Sequence, residues 1–299
     1  MSAPARVLRA GGRRITLAGA PLLMGIVNAN SDSFSDAGEL PDVAARVARA
    51  HELAAAGAWV VDVGGESAFG GLPPVPPEEE AARVVPVVER IARELDVLIS
   101  VDTYKPAVAE AAIAAGAQIV NDVSGLRDPE LAEVCAATGA GLVLMHTRVA
   151  PKGTLLDPGF YDDVVADVRD FLAERIAVAE GAGMHPEQIL LDPGPDFAKT
   201  PAQTVAVLRR LELLHELGRP LLLAVSRKDF LGAITGRPAR ERGAATLAAV
   251  AFAADVGAHA VRVHDVRAAA DFLAVRAVLR GERELAPGDG LTPDRYPDG

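Results

Sequence analysis

Eight short apolar runs alternate with alanine-rich amphipathic stretches along this sequence, and that alternation restricts the fold more than any other feature. Stretches such as VAARVARAHELAAAGA and PAVAEAAIAAGA have the apolar spacing of helices. Near-continuous Val, Ile and Leu runs are typical of parallel strands that are covered on both faces. The eight runs are LLMGIVN, WVVDVGGES, LISVDTYK, QIVNDVSG, GLVLMHT, ILLDPG, LLLAVSRK and AVRVHD.

Eight strand–helix units predict an α/β protein, a single-domain (β/α)8 TIM barrel over residues 20–283. A doubly wound open sheet is the alternative, although it does not need eight such units. We expect residues 1–19 to be an N-terminal lead-in and residues 284–299, rich in Pro, Gly and Asp, to be a disordered tail. Glycines that would end a helix in the left-handed conformation precede four of the runs, at Gly57, Gly116, Gly139 and Gly257.

Composition excludes several classes of protein. The net charge of −11 argues against a nucleic-acid partner, so an anionic substrate needs a local basic pocket. No apolar stretch is long enough to cross a membrane, and we read no signal peptide in the basic N-terminus. The single cysteine, Cys135, excludes an internal disulfide, lies on an apolar helical face and fits a reducing cytoplasm. We therefore expect a cytoplasmic location.

The apolar runs end on polar residues. In a parallel barrel the carboxyl ends of all strands open on one face, where the active sites of this fold are built, so we expect these residues to form one ring. A single Asn or Asp at such a place is commonly a turn former, but a full ring indicates a binding site. Its members are Asn28, Asp62, Asp102, Asn121, Asp122, His146, Asp192, Lys228, Arg262 and His264.

The residue types in the ring suggest what it binds. Asp102, Asn121 and Asp192 offer donors and acceptors suited to a flat, nitrogen-rich heterocycle. Lys228, Arg262 and His264 come from the last two strands, where barrels commonly bind phosphate, and we read them as a cationic side.

The chain has only four lysines, and three of them stand at or just past strand ends. For Lys228 we favour a functional role. Lys105 and Lys199 are either functional or solvated residues in the first turn of a helix.

The residues do not suggest covalent catalysis. The serines at strand ends lack a neighbouring base in the sequence, and no zinc-binding or Walker motif is present. The residues alone thus indicate a soluble barrel enzyme that binds a polar heterocycle and an anion.

The same stretches resemble the dihydropteroate synthase family. The matching motifs are MGIVNANSDSFSD, DVGGES, SVDTYK, NDVSGLRDPE, VLMH, LDPGPDFAKTP, VSRKDF and VRVHDV, in order over residues 20–280. The resemblance implies a homodimeric barrel and a transferase of folate biosynthesis. Such an enzyme condenses 6-hydroxymethyl-7,8-dihydropterin diphosphate with 4-aminobenzoate and releases diphosphate.

By the same resemblance, motif positions acquire roles. The pterin would be bound by Asp102, Asn121, Met145, Asp192, Lys228 and Arg262. Asn28, Arg262 and His264 would bind the diphosphate and serve catalysis, and Asn28 would also contact a Mg²⁺ that arrives with the diphosphate. The acceptor would meet Phe34, Ala68, Phe69, Phe197, Lys228 and Asp229.

Three departures from the family pattern fall at the acceptor end. Asn30 and Ser31 replace Thr-Pro, the segment from Ala68 to Gly71 replaces Thr-Arg-Pro-Gly, and Asp229 replaces Ser. A carboxylate at residue 229 would repel the carboxylate of the acceptor unless a cation intervenes. Two alternatives therefore stay open: a paralogue that uses another amine or has lost transfer, and a non-catalytic or methyl-carrying pterin-binding module.

Overall fold

A computed structural model describes residues 6–28, 43–67 and 73–285 of the chain. Strands and helices alternate through most of it, with two short 3₁₀ turns at Pro186–Gln188 and Ala239–Glu241. The strands are β1 Arg6–Ala10, β2 Arg13–Leu17, β3 Leu22–Asn28, β4 Val60–Gly64, β5 Leu98–Asp102, β6 Ile119–Asp122, β7 Gly141–Met145, β8 Ile189–Asp192, β9 Leu222–Leu223 and β10 Ala260–Val263. The helices are α1 Val43–Ala55, α2 Pro77–Glu94, α3 Pro106–Ala114, α4 Glu130–Thr138, α5 Val164–Gly181, α6 Pro201–Arg209, α7 Glu212–His215, α8 Asp229–Thr235, α9 Gly243–Asp255 and α10 Val266–Leu279.

Eight parallel strands form the predicted barrel. Their spatial order is β8-β7-β6-β5-β4-β3-β10-β9, and a parallel bridge between Leu191 and Leu221 brings the two outer strands together. All eight apolar runs supply one of these strands, which confirms the (β/α)8 architecture and excludes the open doubly wound sheet.

The seventh strand of the barrel, β9, is shorter than its run predicts. Only Leu222 and Leu223 join the ladder, next to Ala260 and Val261. A few residues later Arg227 adopts a left-handed φ of 58°, and the chain turns into α8. The end of the LLLAVSRK run therefore forms a loop, which carries Ser226 and Lys228.

One apolar layer fills the amino end of the barrel. Each barrel strand contributes one side chain to this layer, and the β1–β2 hairpin covers it with Leu8, Ala10 and Leu17. The predicted lead-in thus contains a hairpin that closes the bottom of the barrel. The eight strand residues are Met24, Val60, Leu98, Ile119, Val143, Leu190, Leu222 and Ala260.

A second core lies between the strands and the surrounding helices. Cys135 is buried there on α4, as its apolar setting predicts. The four glycines predicted to end helices all have positive φ, between 76° and 119°. Among the described helices, none combines the length and apolar character that a membrane span requires. The predicted disordered tail falls outside the described residues from 286 onward.

Candidate active site

Polar side chains form the layer above the apolar one. Successive side chains of a strand point to opposite faces, so a residue two positions beyond an inward-facing one also points inward. Asp62 follows Val60 in this way, Asn121 follows Ile119, Asp192 follows Leu190 and Arg262 follows Ala260. The alternation thus turns scattered strand-end residues into one polar layer inside the barrel.

Arg262 lies at the centre of a hydrogen-bonded network in this layer. Its Nε donates to Asp62 Oδ2 at 2.6 Å, and its Nη2 donates to Asp102 Oδ2 at 2.9 Å. The amide nitrogen of Asn121 donates to the same oxygen of Asp62 at 3.3 Å. The network fixes the guanidinium of β10 against β4, β5 and β6.

The two carboxylates compensate the charge of Arg262. Burial raises the pKa of Asp102 to about 7; Arg262 opposes this rise, and the carboxylate of Asp62 adds to it. The pKa of Asp102 therefore lies well above the usual range of a carboxyl group, although the side chain is paired with Arg262. Arg262 offers an incoming anion less net charge than its position in the sequence suggests.

His264 is neutral, so reading it as part of a cationic side was wrong for the free protein. Burial, together with the neighbouring cations Arg227, Arg262 and Lys228, lowers its pKa to about 4. Its Nδ1 lies 2.9 Å from the hydroxyl oxygen of Ser226, which also accepts the His264 backbone N–H at 3.2 Å. The Ser226 hydroxyl thus contacts both the ring and the backbone of His264.

The contact between Ser226 and His264 also corrects the expectation that no strand-end serine has a base beside it. Because the hydroxyl contacts the ring of His264 and accepts from its backbone, Ser226 orients the imidazole. No hydrogen bond from a carboxylate to His264 is found in the part of the chain that the structure describes. The pair therefore does not complete a catalytic triad.

Asp192 and Lys228 come from neighbouring barrel segments. Asp192 is buried at the end of β8, where its Oδ1 accepts the Gly194 N–H at 2.8 Å. Burial raises the pKa of Asp192, against the opposing effects of that hydrogen bond and of Lys228. The Lys228 ammonium lies 4.3 Å from the centre of the Phe197 ring, and burial lowers its pKa.

The other predicted binding residues occupy the same end of the barrel. Met145 ends β7 in a buried position, and Asn28 ends β3 in an exposed one. Asp102 and Phe197 line one cavity, together with Thr103 and Val123. An acidic group, an aromatic ring and apolar side chains thus surround a space at the carboxyl ends of the strands.

Two members of the predicted ring turn away from its centre. Asp122 follows Asn121 directly, so it points to the opposite face, and its carboxylate accepts the backbone N–H groups of Ser124 and Leu126 at 2.7 Å and 2.5 Å. His146 is buried and contacts Lys199 and Asp167. Asp122 is therefore the turn former that an isolated aspartate suggests.

Lys199 is buried and the side chain of Lys105 is only 11% exposed, so the alternative that they are solvated residues was wrong. Lys105 forms ion pairs with Glu66 and Glu80 and donates to the carbonyl of Val75 at 2.7 Å. Lys152 reaches Glu66 from another loop at 2.8 Å. Glu66 and Val75 flank residues 68–72, so Lys105 joins the two ends of the second predicted substrate loop.

Asp229 is not the unpaired repulsive charge that its place in the sequence suggests. Its side chain is 79% exposed, and its carboxylate accepts from Arg242 Nη1 at 2.9 Å. The same nitrogen donates to the carbonyls of Arg227 and Lys228. Arg242 is thus a cation of the kind required to screen Asp229 from an acceptor carboxylate. The remaining predicted acceptor residues, Phe34, Ala68 and Phe69, lie outside the described residues, as do Asn30 and Ser31.

Sequence reasoning did not predict the contacts of four residues that organise the site, although it placed Asp62 in the polar ring and left a functional role open for Lys199. Asp62 binds Arg262, Ser226 orients His264, Lys199 fixes the loop after β8, and Arg242 pairs with Asp229. Asp62 offered a signal, because it interrupts the apolar run WVVDV at an inward-facing position. The sequence offered no signal for Arg242, because it lies in a polar segment 13 residues away from its partner Asp229.

Comparison with known proteins gives concordant matches over most of the chain. Residues 24–264 match the pterin binding enzyme family. Dihydropteroate synthase of Bacillus subtilis is 43% identical over 247 residues, which cover 82% of this chain and 84% of the relative. The Xanthomonas albilineans dihydropteroate synthase structure with 4-aminobenzoic acid has a TM-score of 0.85 at 44% identity and covers 93% of this chain and 99% of that one. A structure of the Xanthomonas enzyme in complex with 7,8-dihydropteroate has a TM-score of 0.81 at 44% identity, with 91% and 98% of the two chains covered.

Proposed function

This chain belongs to the dihydropteroate synthase family of transferases, and we propose that it condenses 6-hydroxymethyl-7,8-dihydropterin diphosphate with 4-aminobenzoate. The observation that carries the proposal is the polar layer inside the barrel, in which Asn121 and Arg262 both bind Asp62 and to which β8 contributes the buried Asp192. Relatives of the same fold bind 4-aminobenzoic acid and 7,8-dihydropteroate, an acceptor and a product of this reaction.

The pterin ring has adjacent N–H donors on one edge, which match a carboxylate. Asp192 keeps one oxygen on the Gly194 N–H and has the other for the ligand. Asn121 offers an amide oxygen, because its nitrogen donates to Asp62. Lys228, beside the Phe197 ring, donates to the acceptor atoms on the heterocycle. These groups hold the ring flat at the carboxyl end of the barrel.

The reaction needs no nucleophilic side chain. The C–O bond to diphosphate breaks, and the pterin ring delocalises the positive charge left on the methylene carbon. The neutral amine of 4-aminobenzoate then forms the C–N bond and releases a proton. We assign Arg262, on β10, and His264, just past its end, to the leaving diphosphate, so the protein would contribute positioning and electrostatic stabilisation.

Mg²⁺ is part of this proposal as a companion of the diphosphate. No cluster of three His, Cys, Asp or Glu within residues 6–28, 43–67 and 73–285 has the arrangement of a metal site. The donors present therefore fit a cation that takes most of its oxygens from diphosphate and water, with Asn28 as the protein ligand. Such a cation supplies the positive charge that neutral His264 and paired Arg262 lack.

We also propose that the protein is a homodimer. Large apolar side chains are exposed on α8, α9 and α10, among them Ile234 at 68% and Leu279 at 81%. Val275 is exposed one helical turn before Leu279, so both lie on one face of α10. Exposed apolar patches of this kind mark subunit interfaces. Light scattering should give twice the mass of the chain, and Leu279→Asp should shift it to that of a monomer; a monomeric wild type would contradict this proposal.

Complementation tests the proposed activity in a cell. A bacterial strain without its own dihydropteroate synthase should grow without folate end products when it expresses this chain. Arg262→Ala, expressed at the same level, should not restore growth. If the wild-type chain is expressed and folded but growth fails, the alternatives of another amine acceptor or lost transfer are favoured.

A further inference from the structure

Lys199 is a buried lysine whose nearest contacts are neutral. Its side chain lies in the loop between β8 and α6 and is only 1% exposed. The ammonium donates to the carbonyls of Gly194 and Phe197, each at 3.0 Å, and lies 2.7 Å from His146 Nδ1. The carbonyl of His146 is a fourth, longer acceptor at 3.4 Å, so the ammonium connects the loop after β8 to His146.

A cation in this position does not contribute to stability through an ion pair. Burial lowers the pKa of Lys199 to about 7, although Asp192 and Asp167 oppose that effect and Lys228 adds to it, so the ammonium form predominates below pH 7. Placing a charge among neutral acceptors costs desolvation energy that backbone carbonyls offset only in part. The burial of Lys199 is therefore better explained by the positions in which it holds its hydrogen-bond acceptors.

Gly194 connects Lys199 to Asp192 by two hydrogen bonds. The carbonyl of Gly194 accepts from Lys199, and its N–H donates to Asp192 Oδ1 at 2.8 Å. Gly194 has a φ of 65°, and a Cβ at this position would collide with the carbonyl oxygen of His146. Gly194 is thus held from both sides, and its N–H fixes the rotation of the Asp192 carboxylate.

The far side of Lys199 is anchored to α5. Because the ammonium donates to His146 Nδ1, the His146 ring has its proton on Nε2 and donates to Asp167 at 2.9 Å. Burial lowers the pKa of His146 to about 4, so this ring is neutral at physiological pH. Asp167 is held in turn by Arg148 at 2.8 Å.

The charge of Lys199 also acts on Asp192. Burial raises the pKa of Asp192, and the cations that lower it again are Lys228, Lys199 and Arg262. Without Lys199 the carboxylate would have one fewer positive neighbour and would take up a proton at a higher pH.

We propose that Lys199 is a positioning residue of the pterin site, because its ammonium holds Gly194 so that the Gly194 N–H orients the Asp192 carboxylate. Lys199 does not touch the substrate in this scheme. The inference rests on the proposed function, since it takes Asp192 as the group that binds the pterin.

Calorimetry with 6-hydroxymethylpterin between pH 5 and pH 8 tests this role on the full chain. Lys199→Met should weaken binding at pH 7 by a factor of about 10 or more, and affinity should fall at a higher pH on acidification than in the wild type. Lys199→Gln should recover part of the affinity at pH 7, since its amide can donate to Gly194, but it should keep the shifted pH profile. Arg219→Met removes an ion pair with Glu180 at the amino end of the barrel and should change neither property.

The outcomes separate the two proposals. If the wild type binds the pterin and Lys199→Met binds it equally with the same pH profile, Lys199 has no positioning role and the proposed function stands. If the wild type does not bind the pterin, the proposed function fails, and this inference fails with it.

A measurement on the wild type covers the case in which neither variant folds. The chain has only four lysines, so ¹⁵N spectra of their ammonium groups are simple to assign. Pterin binding at Asp192 should shift the Lys199 ammonium signal. An unchanged Lys199 signal at saturating pterin would overturn the proposal.

Discussion

Replacing Asp192 with asparagine should separate its role in binding from any role in stability. The substitution keeps the shape of the side chain and the oxygen that accepts the Gly194 N–H. It replaces the other oxygen with an NH₂ group, which cannot accept a pterin donor. One hydrogen bond to a charged acceptor is lost, and one ligand donor is left unpaired.

The magnitude follows from these two losses. A hydrogen bond to a charged group contributes about 1.5–3 kcal/mol, and an unpaired buried donor costs about 1–3 kcal/mol. A total of roughly 2.5–6 kcal/mol corresponds to an affinity for the pterin that is weaker by between about 10²-fold and 10⁴-fold. Calorimetry at pH 7 measures this loss directly.

The free energy of unfolding of Asp192→Asn should stay the same or rise, although its affinity for the pterin falls. Burial raises the pKa of Asp192 in the folded protein above that of the unfolded chain, so the ionised carboxylate destabilises the fold at neutral pH. Asp192→Asn removes that penalty, and its urea midpoint at pH 7 should equal or exceed that of the wild type. A variant that is destabilised but binds pterin normally would refute the assignment of Asp192 as a ligand-binding group.

Three further predictions concern the rest of the site. His264→Ala should lower kcat by about tenfold or more and leave the pterin Kd within about twofold, because we assign His264 to the leaving diphosphate. Steady-state kinetics and calorimetry measure the two quantities. Equal losses in kcat and in pterin affinity would contradict that role. EDTA should abolish turnover, and added Mg²⁺ should restore it, whereas full activity in EDTA would refute the metal proposal. His146 and His264 should each contribute a loss of stability as the pH falls from about 6.5 towards 4, because their folded-state pKa values are both about 4, below those of the unfolded chain, which therefore binds protons first. Asp102, whose folded-state pKa is raised to about 7, contributes in the opposite direction, so the histidine contribution is read from the difference between wild type and variant. The loss is up to about 1.4 kcal/mol per pH unit for each histidine, and urea titrations at pH 7, 6 and 5 should show a shallower slope in His146→Gln than in the wild type.

The architecture was predictable because its signals are local. A strand covered on both faces needs a continuous apolar run, and a helix that ends before such a strand needs a residue that tolerates positive φ. Both requirements are met within about ten residues of sequence. The polar layer followed from them, since strand parity decides that Asp62, Asn121, Asp192 and Arg262 point inward.

The electrostatics of the site could not be predicted in the same way. The charge available from Arg262 depends on Asp62 and Asp102, which are 200 and 160 residues away in the chain. His264 and Lys199 are ionisable residues in polar segments, and nothing in those segments indicates how deeply they are buried. The screening of Asp229 by Arg242 likewise depends on how α8 meets the segment before α9.

The measurement that tests the central claim most directly is the product of the purified protein. The protein should be incubated with 6-hydroxymethyl-7,8-dihydropterin diphosphate, Mg²⁺ and 4-aminobenzoate, with mass spectrometry for the product and a separate assay for diphosphate. The account predicts 7,8-dihydropteroate and diphosphate in equal amounts, and no coupled product when 4-aminobenzoate is omitted. Protein that binds the pterin diphosphate but forms no dihydropteroate, or that couples it only to a different amine, would contradict the account.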